Sequence, residues 1–198
     1  MIKVASLVLN NFVNDSRVLK ENISLKNAGF EPIVVALHDE QLEENEIVQN
    51  INVHRVKLSS RKWSKQKIVQ LLKYFEFIYR AVKIYKNFDI FHCNDLNTLP
   101  IGVIVKKFYN KNIKIVYDAH EYEINDVPNQ SKVSIKIKYF LEKYLIKYAD
   151  VVVTVSDSIA DDYARMYNIQ RPSVVLNVLL YLILGQAISK SFKQGKQE

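Results

Sequence analysis

Residues Ile113–Tyr117, Ile-Lys-Ile-Val-Tyr, form a short β-branched run that stops on Asp118, with His120 and Glu121 close behind. A short run of this kind reads as a strand buried on both faces. Strands of that kind belong to parallel sheets covered by helices. Charged groups are rarely left inside such a sheet, so Asp118, His120 and Glu121 are expected where the strand ends and solvent begins. In open α/β sheets, ligands bind in the crevice beyond those carboxyl ends.

The rest of the chain repeats the pattern. Strands are expected at Lys3–Leu9, Glu31–Leu37, Asn52–Leu58, Asp89–Cys93 and Asp150–Val155, with a last short one at Ser173–Leu176. A helix is expected over Ser16–Ala28, capped by Asn14, Asp15 or Ser16 and closed by Gly29. Others are expected at Trp63–Tyr85, Leu99–Tyr109, Val133–Tyr148 and from Ser156 through Tyr167. Acidic, polar His38–Asn50 reads as a loop or short helix. Helical spacing predicts a buried face of Ile68, Leu71, Leu72, Phe75, Ile78, Val82 and Tyr85 in the second helix. In the fourth it turns Ile137, Phe140, Leu141, Tyr144, Leu145 and Tyr148 inward. Strands alternating with helices make this an α/β, Rossmann-like, doubly wound domain, a mainly parallel sheet with helices on both faces. It spans residues 1–178, and 179–198 differ in character: an apolar burst, then a polar end expected to be undocked and mobile.

With 198 residues, 48% of them hydrophobic, the chain can bury one good-sized core. Cys93 is the one cysteine, which excludes an internal disulfide and a multi-cysteine zinc site and fits a reducing cytoplasm. The N-terminus lacks the apolar core and cleavage site of a signal peptide. Val174–Leu184, broken by Asn177, falls short of the roughly 18 apolar residues a membrane span needs. The formal charge of +7 is concentrated in Arg61–Lys86, with a second basic cluster in Lys132–Lys147. Lys65, Lys67 and Lys73, interleaved with Trp63, Tyr74, Phe77 and Tyr79, suit an anionic membrane surface. The same stretch also reads as a core helix with a solvated lysine face. Nucleic acid is not expected as partner, because no DNA- or RNA-binding motif accompanies the charge. The expected location is the cytoplasm, peripheral to the inner face of the membrane.

Polar residues gather at four strand ends: Asn10 and Asn11, Asn94 and Asp95, Asp118 with His120 and Glu121, and Ser156. Ser156 or Asp157 alone would be an ordinary helix cap. Four ends on one rim predict a ligand site. The first turn has no Gly-x-Gly-x-x-Gly, which argues against a dinucleotide. No metal is expected: His92 and His120 come from different strands, no His-Glu-x-x-His helix exists, and His92 reads as a core histidine. A serine hydrolase would need a Gly-x-Ser-x-Gly elbow that is missing, and Cys93 reads as buried and inert.

Several segments resemble the start of family-four glycosyltransferases, enzymes of the GT-B class built from two Rossmann-like domains. They are Asn14-Asp-Ser-Arg-Val-Leu-Lys-Glu with Ser24-Leu-Lys-Asn-Ala-Gly-Phe, Phe88-Asp-Ile-Phe-His-Cys-Asn-Asp-Leu-Asn-Thr-Leu-Pro, Val116-Tyr-Asp-Ala-His-Glu, Ala149-Asp-Val-Val-Val-Thr-Val-Ser and Ser173-Val-Val-Leu-Asn-Val. The resemblance implies the acceptor-binding half of a retaining, metal-independent enzyme that needs no cofactor and takes a nucleotide-sugar as donor substrate. It implies that His120 faces the transferred sugar, with Asp118 and Glu121 orienting it or binding acceptor hydroxyls. A glycan or lipid-linked acceptor is the implied partner. The first turn, usually glycine-rich in such enzymes, is here Asn10-Asn11-Phe12. The donor-binding domain expected after residue 178 has no counterpart here, so the chain is expected to be inactive alone: a truncated or frame-shifted product, or one half of a split enzyme whose donor domain is a separate chain. A non-catalytic binding module on the membrane surface is the alternative.

Overall fold

The computed structural model describes residues 1–119 and 132–176. His120, Glu121 and the tail 179–198 therefore lie outside the described residues. Eight strands form one sheet: β1 Lys3–Leu7, β2 Glu31–Leu37, β3 Asn45–Val48, β4 Ile51–Val56, β5 Ile90–Cys93, β6 Lys114–Asp118, β7 Val151–Thr154 and β8 Ser173–Val174. The helices are α1 Ser16–Asn27, α2 Lys67–Tyr85, α3 Leu99–Phe108, α4 Lys132–Leu145 with a 3-10 turn Ile146–Tyr148, and α5 Asp157–Tyr167. The strand order is β3-β4-β2-β1-β5-β6-β7-β8. All pairings are parallel except β3 with β4. Chain order reverses between β1 and its neighbours β2 and β5, so the switch point lies where β1 meets β5.

The expected doubly wound sheet is present, with one addition. Within the stretch read as a loop or short helix, Asn45–Val48 pairs with Ile51–Val56 as an antiparallel edge hairpin. Gln49 and Asn50, both at positive φ, make its two-residue turn. The signal was the asparagine at the turn; the acidic residues around it masked the pairing.

The two faces of the sheet are covered unequally. Ala5, Leu7, Phe91, Cys93, Ile115 and Tyr117 point into the larger core beneath α2 and α3, which also takes Leu145, Ile146, Tyr163 and Tyr167. Helix α3 approaches closely because Gly102 has no side chain. A Cβ there would lie 3.3 Å from Cys93 Sγ and 3.3 Å from Phe91 Cβ. The opposite face packs α1 over β1, β2 and β4 through Val8, Val18, Val34, Ala36, Ile51 and Val53. Helices do lie on both faces, but among the described residues α1 is alone on its side.

Two helix faces are rotated from the expected ones. In α2 the buried residues are Lys73, Phe77, Ile78, Ala81, Val82 and Tyr85, while Ile68, Leu71, Leu72 and Phe75 are exposed. The apolar arc of α2 is wider than the sheet and α3 can cover. In α4, Ile137 is 62% exposed, Phe140 64% and Tyr144 51%, and Leu141 is exposed too. The reason is Glu142. It is fully buried, its carboxyl accepting hydrogen bonds from Tyr117 (2.6 Å), Tyr163 (2.8 Å) and Tyr167 (2.7 Å). Three hydroxyls from β6 and α5 thus fix the rotation of α4 and leave its apolar stripe outside.

Replacing Glu142 by Ala would remove three buried hydrogen bonds, each loss costing about 1–1.5 kcal/mol. Urea denaturation of Glu142→Ala should show a loss of at least about 3 kcal/mol, and Glu142→Gln a smaller one. An unchanged midpoint for the alanine variant would mean that the network does not hold α4.

Candidate functional site

The carboxyl ends of β1, β5, β6 and β7 lie side by side on one edge of the sheet. The β1–α1 turn closes one side of this rim. Asn10 Oδ1 accepts from the Phe12 amide at 2.9 Å, and its Nδ2 donates to Asp15 Oδ2 at 3.1 Å. Asp15 in turn caps α1 by accepting from Val18 N. Phe12 stands at φ 53° with its side chain buried. A shallow hollow of about 390 Å³ lies over this turn, lined by Asn10, Asn11, Val13, Asn14, Asp15, Ser16 and Arg17.

Arg17 also lines a second, larger cavity of about 590 Å³ on the α1 side of the sheet. Its guanidinium is hydrogen-bonded to Asp118 and lies 3.4 Å from Glu21. Asp118 is 4% exposed and Arg17 14%, so this is a buried pair tying α1 to β6. His92 Nε2 is 4.0 Å from Glu21 Oε2. Burial pushes the Glu21 carboxyl up to about 7, the Asp118 charge adding to the effect and Arg17 opposing it. Burial, then the Arg17 charge, drives His92 down to about 4. Near neutral pH the cluster therefore holds a neutral imidazole beside a carboxyl poised between its two forms, with Arg17 between two acidic side chains.

Glu21, His92 and Asp118 have ligand atoms within 4.8 Å of one another, close enough to share a cation. The residues do not fit one well. Arg17 already places a fixed positive charge on Asp118 and beside Glu21, where a metal would add a second.

The residues predicted from sequence are brought together only in part. Asn10 and Asn11 share the hollow over the first turn, and Asp118 belongs to the Arg17 cluster. Asn94 is buried and staples β5 to β1, its Nδ2 donating to Ser6 Oγ at 3.1 Å and to Leu7 O at 3.0 Å. Asp95 accepts from the amides of Asn97 and Thr98 at the start of α3, and burial raises its carboxyl. Ser156 caps α5, accepting from Ile159 N at 3.3 Å. Lys73 departs from its expected place on a membrane-facing surface: it is buried, its ammonium donating to Arg61 O and Trp63 O. Those carbonyls precede α2 and lack partners in the helix, which draws the lysine inward. Lys65 and Lys67 remain exposed. Cys93 is buried, and burial raises its thiol far above the usual range. Arg17, Glu21 and His92 were missed as a group. Their signal was the i, i+4 spacing of Arg17 and Glu21 next to the buried Val18 and Asn22.

The raised Glu21 carboxyl sets a pH dependence. The folded state keeps a proton that the unfolded state gives up near 4.5, so its contribution is full below that pH and is lost as pH rises to about 7. Each unit is worth about 1.4 kcal/mol, so Glu21→Gln should gain about 3–4 kcal/mol on the parent between pH 4.5 and 8. His92 acts between about 4 and 6.5 in both proteins and cancels in the difference. A gap that stays constant across this range in chemical denaturation would refute the assignment.

The sequence profile of Glycosyltransferase Family 4 matches residues 23–178. No curated protein sequence matches the chain. Among solved structures, sucrose-phosphate synthase from Thermosynechococcus elongatus superposes with a TM-score of 0.66 at 13% identity, over 89% of this chain and 47% of that one. A piece of the same enzyme, designated 27_220_406_426, gives 0.64 at 12% identity over 97% and 98%. HepE from Anabaena in complex with UDP-glucose gives 0.57 at 15% identity over 90% and 44%. The chain thus spans about half the length of the full proteins, and at these identities the likeness is one of fold. The profile covers well over half of the residues, and on that match the chain belongs to glycosyltransferase family 4.

Proposed function

We propose that this chain is the acceptor-binding half of a glycosyltransferase that moves a sugar from a nucleotide-sugar to a glycan or lipid-linked acceptor. The observation that carries this reading is the row of four parallel strand ends at the β1–β5 switch point, the place where α/β sheets bind ligands. The family match supports the reaction class, and the UDP-glucose held by HepE supports the donor type. His120, immediately after the described Ala119, is the proposed catalytic residue facing the sugar, with Asp118 and Glu121 as its orienting or acceptor-binding neighbours. Asn10, Asn11, Asn94, Asp95 and Ser156 complete the proposed rim, their backbone groups contributing where their side chains are already engaged.

Chemistry in such enzymes requires two halves closing on the donor, because catalysis is binding that strengthens in the transition state. The isolated chain is therefore expected to give no turnover with nucleotide-sugars; measurable sugar transfer by the chain alone would overturn the half-enzyme reading. Grafted into a full-length family member, His120→Ala should lower kcat at least about tenfold with the fold intact. Unfolding of that variant would make His120 structural instead.

A second reading, a membrane-surface module, is favoured by the exposed apolar and basic side chains of the α2–α3–α4 layer. Trp63, Ile68, Leu71 and Phe75 are exposed beside Lys65 and Lys67. On α3, the Lys107 ammonium sits 5.4 Å from the Tyr144 ring and 5.2 Å from the Tyr148 ring. Each lysine near an anionic surface is worth about 1 kcal/mol, so Lys65→Glu with Lys67→Glu should weaken vesicle binding at least about tenfold. Sedimentation with anionic vesicles at low and high salt measures this. Equal partition onto neutral vesicles, or indifference to the reversals, would leave this face a solvated helix surface.

A further inference from the structure

A third cavity, of about 410 Å³, lies between the β1–α1 turn and the β3–β4 hairpin. Asn14, Asp15 and Ser16 line it on one side, and Glu46, Val48 and Arg55 on the other. That volume is within the range of small-molecule pockets, about 300–1,000 Å³. Arg55, on β4, is the unusual member, with a side chain only 2% exposed. Burying a charge is costly, so such a guanidinium is expected to be fully paired. Its Nε donates to Asn11 O at 2.8 Å and its Nη1 to Glu43 O at 2.9 Å, and its Nη2 lies 2.7 Å from Glu46 Oε2. A guanidinium carries five N–H donors, and these contacts use three. One hydrogen on each Nη is left without an acceptor among the described residues.

The other lining groups narrow what could accept those hydrogens. Glu46 Oε1 and the side chains of Asn14 and Ser16 have no hydrogen-bond partner among the described residues. Both oxygens of Asp15 are taken, by Val18 N and Asn10 Nδ2. The cavity thus offers donors from Arg55 and Asn14, acceptors from Glu46 and Asn14, and a Ser16 hydroxyl that serves as either. Phe12, Leu19, Leu42 and Val48 make the apolar part of its wall. Glu46 balances Arg55 and Asp15 adds a negative charge, so a phosphate or carboxylate finds no surplus cation here. An uncharged pyranose fits: each hydroxyl on its edge both donates and accepts, and its C–H face lies on the apolar wall.

The cavity shares Asn14, Asp15 and Ser16 with the hollow over the β1–α1 turn, on the side toward the rim. In the sheet order β4 is four strand spacings from β6, about 19 Å. Sugar transfer beyond the end of β6 therefore takes place on a different unit from one held beside Arg55. We propose that this cavity is a remote subsite for an uncharged pyranose unit of the acceptor, held by Arg55, Glu46, Asn14 and Ser16, so that the acceptor is a glycan of several units. This rests on the glycan-acceptor reading above and adds the size and polarity of that glycan.

The isotope-labelled full chain, titrated with the methyl glycosides of glucose, galactose, mannose and N-acetylglucosamine, tests the subsite through its amide shifts. At least one of these should move Asn14, Ser16, Glu46 and Val48 saturably. Asn14→Ala with Ser16→Ala, both at exposed positions, should weaken that binding at least about fivefold with the circular dichroism retained. An unchanged affinity in the double variant overturns the subsite. Methyl glucuronide and glucose 6-phosphate should bind more weakly than the neutral glycosides, and binding as tight or tighter overturns the assignment to an uncharged ring. Shifts confined to Asn94–Leu96 and Ala119 overturn the subsite while leaving the glycan-acceptor reading in place. No saturable shift with any glycoside overturns the subsite as well, and the acceptor reading is then decided by His120→Ala in the full-length family member.

Discussion

The site depends on the contact between Arg17 and Asp118. These residues are 101 positions apart, one on the first turn of α1 and the other on the last residue of β6. A buried ion pair of this kind adds little net stability, because taking both charges out of water offsets their attraction, but removing one partner costs about 3–5 kcal/mol. Its effect is therefore positional. It fixes the start of α1 against the switch point, and with it the β1–α1 turn that borders the rim. Glu21 shares the same guanidinium, and one cation between two acids leaves the second acid short of compensation. Burial, with that shortage adding to it, is why Glu21 holds its proton up to about 7, and burial with the Arg17 charge keeps the neighbouring histidine neutral.

On the opposite side of the sheet a second buried acid decides the surface. Glu142 turns toward β6 and α5, where three tyrosine hydroxyls meet it, and α4 has no freedom left to bury its apolar stripe. Ile137, Phe140 and Tyr144 face outward as a consequence. The Arg17 cluster and the Glu142 network sit on the two faces of the same strand, through Asp118 and Tyr117. Strand β6 thus couples the geometry of the rim to the geometry of the outer helical layer. Apolar surface left exposed over neighbouring helices is a mark of an interaction surface.

The strands and the fold class were legible because runs such as Ile113–Tyr117 leave few alternatives to a buried parallel strand. The strand-end residues were legible as a set for the same reason, since a charge at the end of a buried strand has one place to go. What side chains do there was not. Asn94 and Ser156 serve the backbone, which their residue types allow as readily as ligand binding. Lys73 looked like a surface lysine because the sequence does not tell that the carbonyls of Arg61 and Trp63 fold back over it. The apolar periodicity of α4 was real, but it marked the exposed stripe. A glutamate with three distant tyrosine partners overruled it, and such a contact leaves no local trace.

The first turn shows how a backbone conformation can be kept while its chemistry changes. The family resemblance leads one to expect glycine there, and the chain does adopt a glycine-like backbone, with Phe12 at φ 53°. A bulky residue in that region costs about 1–2 kcal/mol, which burial of the phenyl ring in the α1 core, worth about 1.5–3 kcal/mol, offsets. The amide of Phe12 points at Asn10 Oδ1, and Asn10 is held in turn by Asp15. A donor that a bare glycine turn would offer to an anion is here already taken by a side chain of the same turn. The Arg17 guanidinium, which lines the hollow over this turn, is likewise engaged, with Asp118 and Glu21.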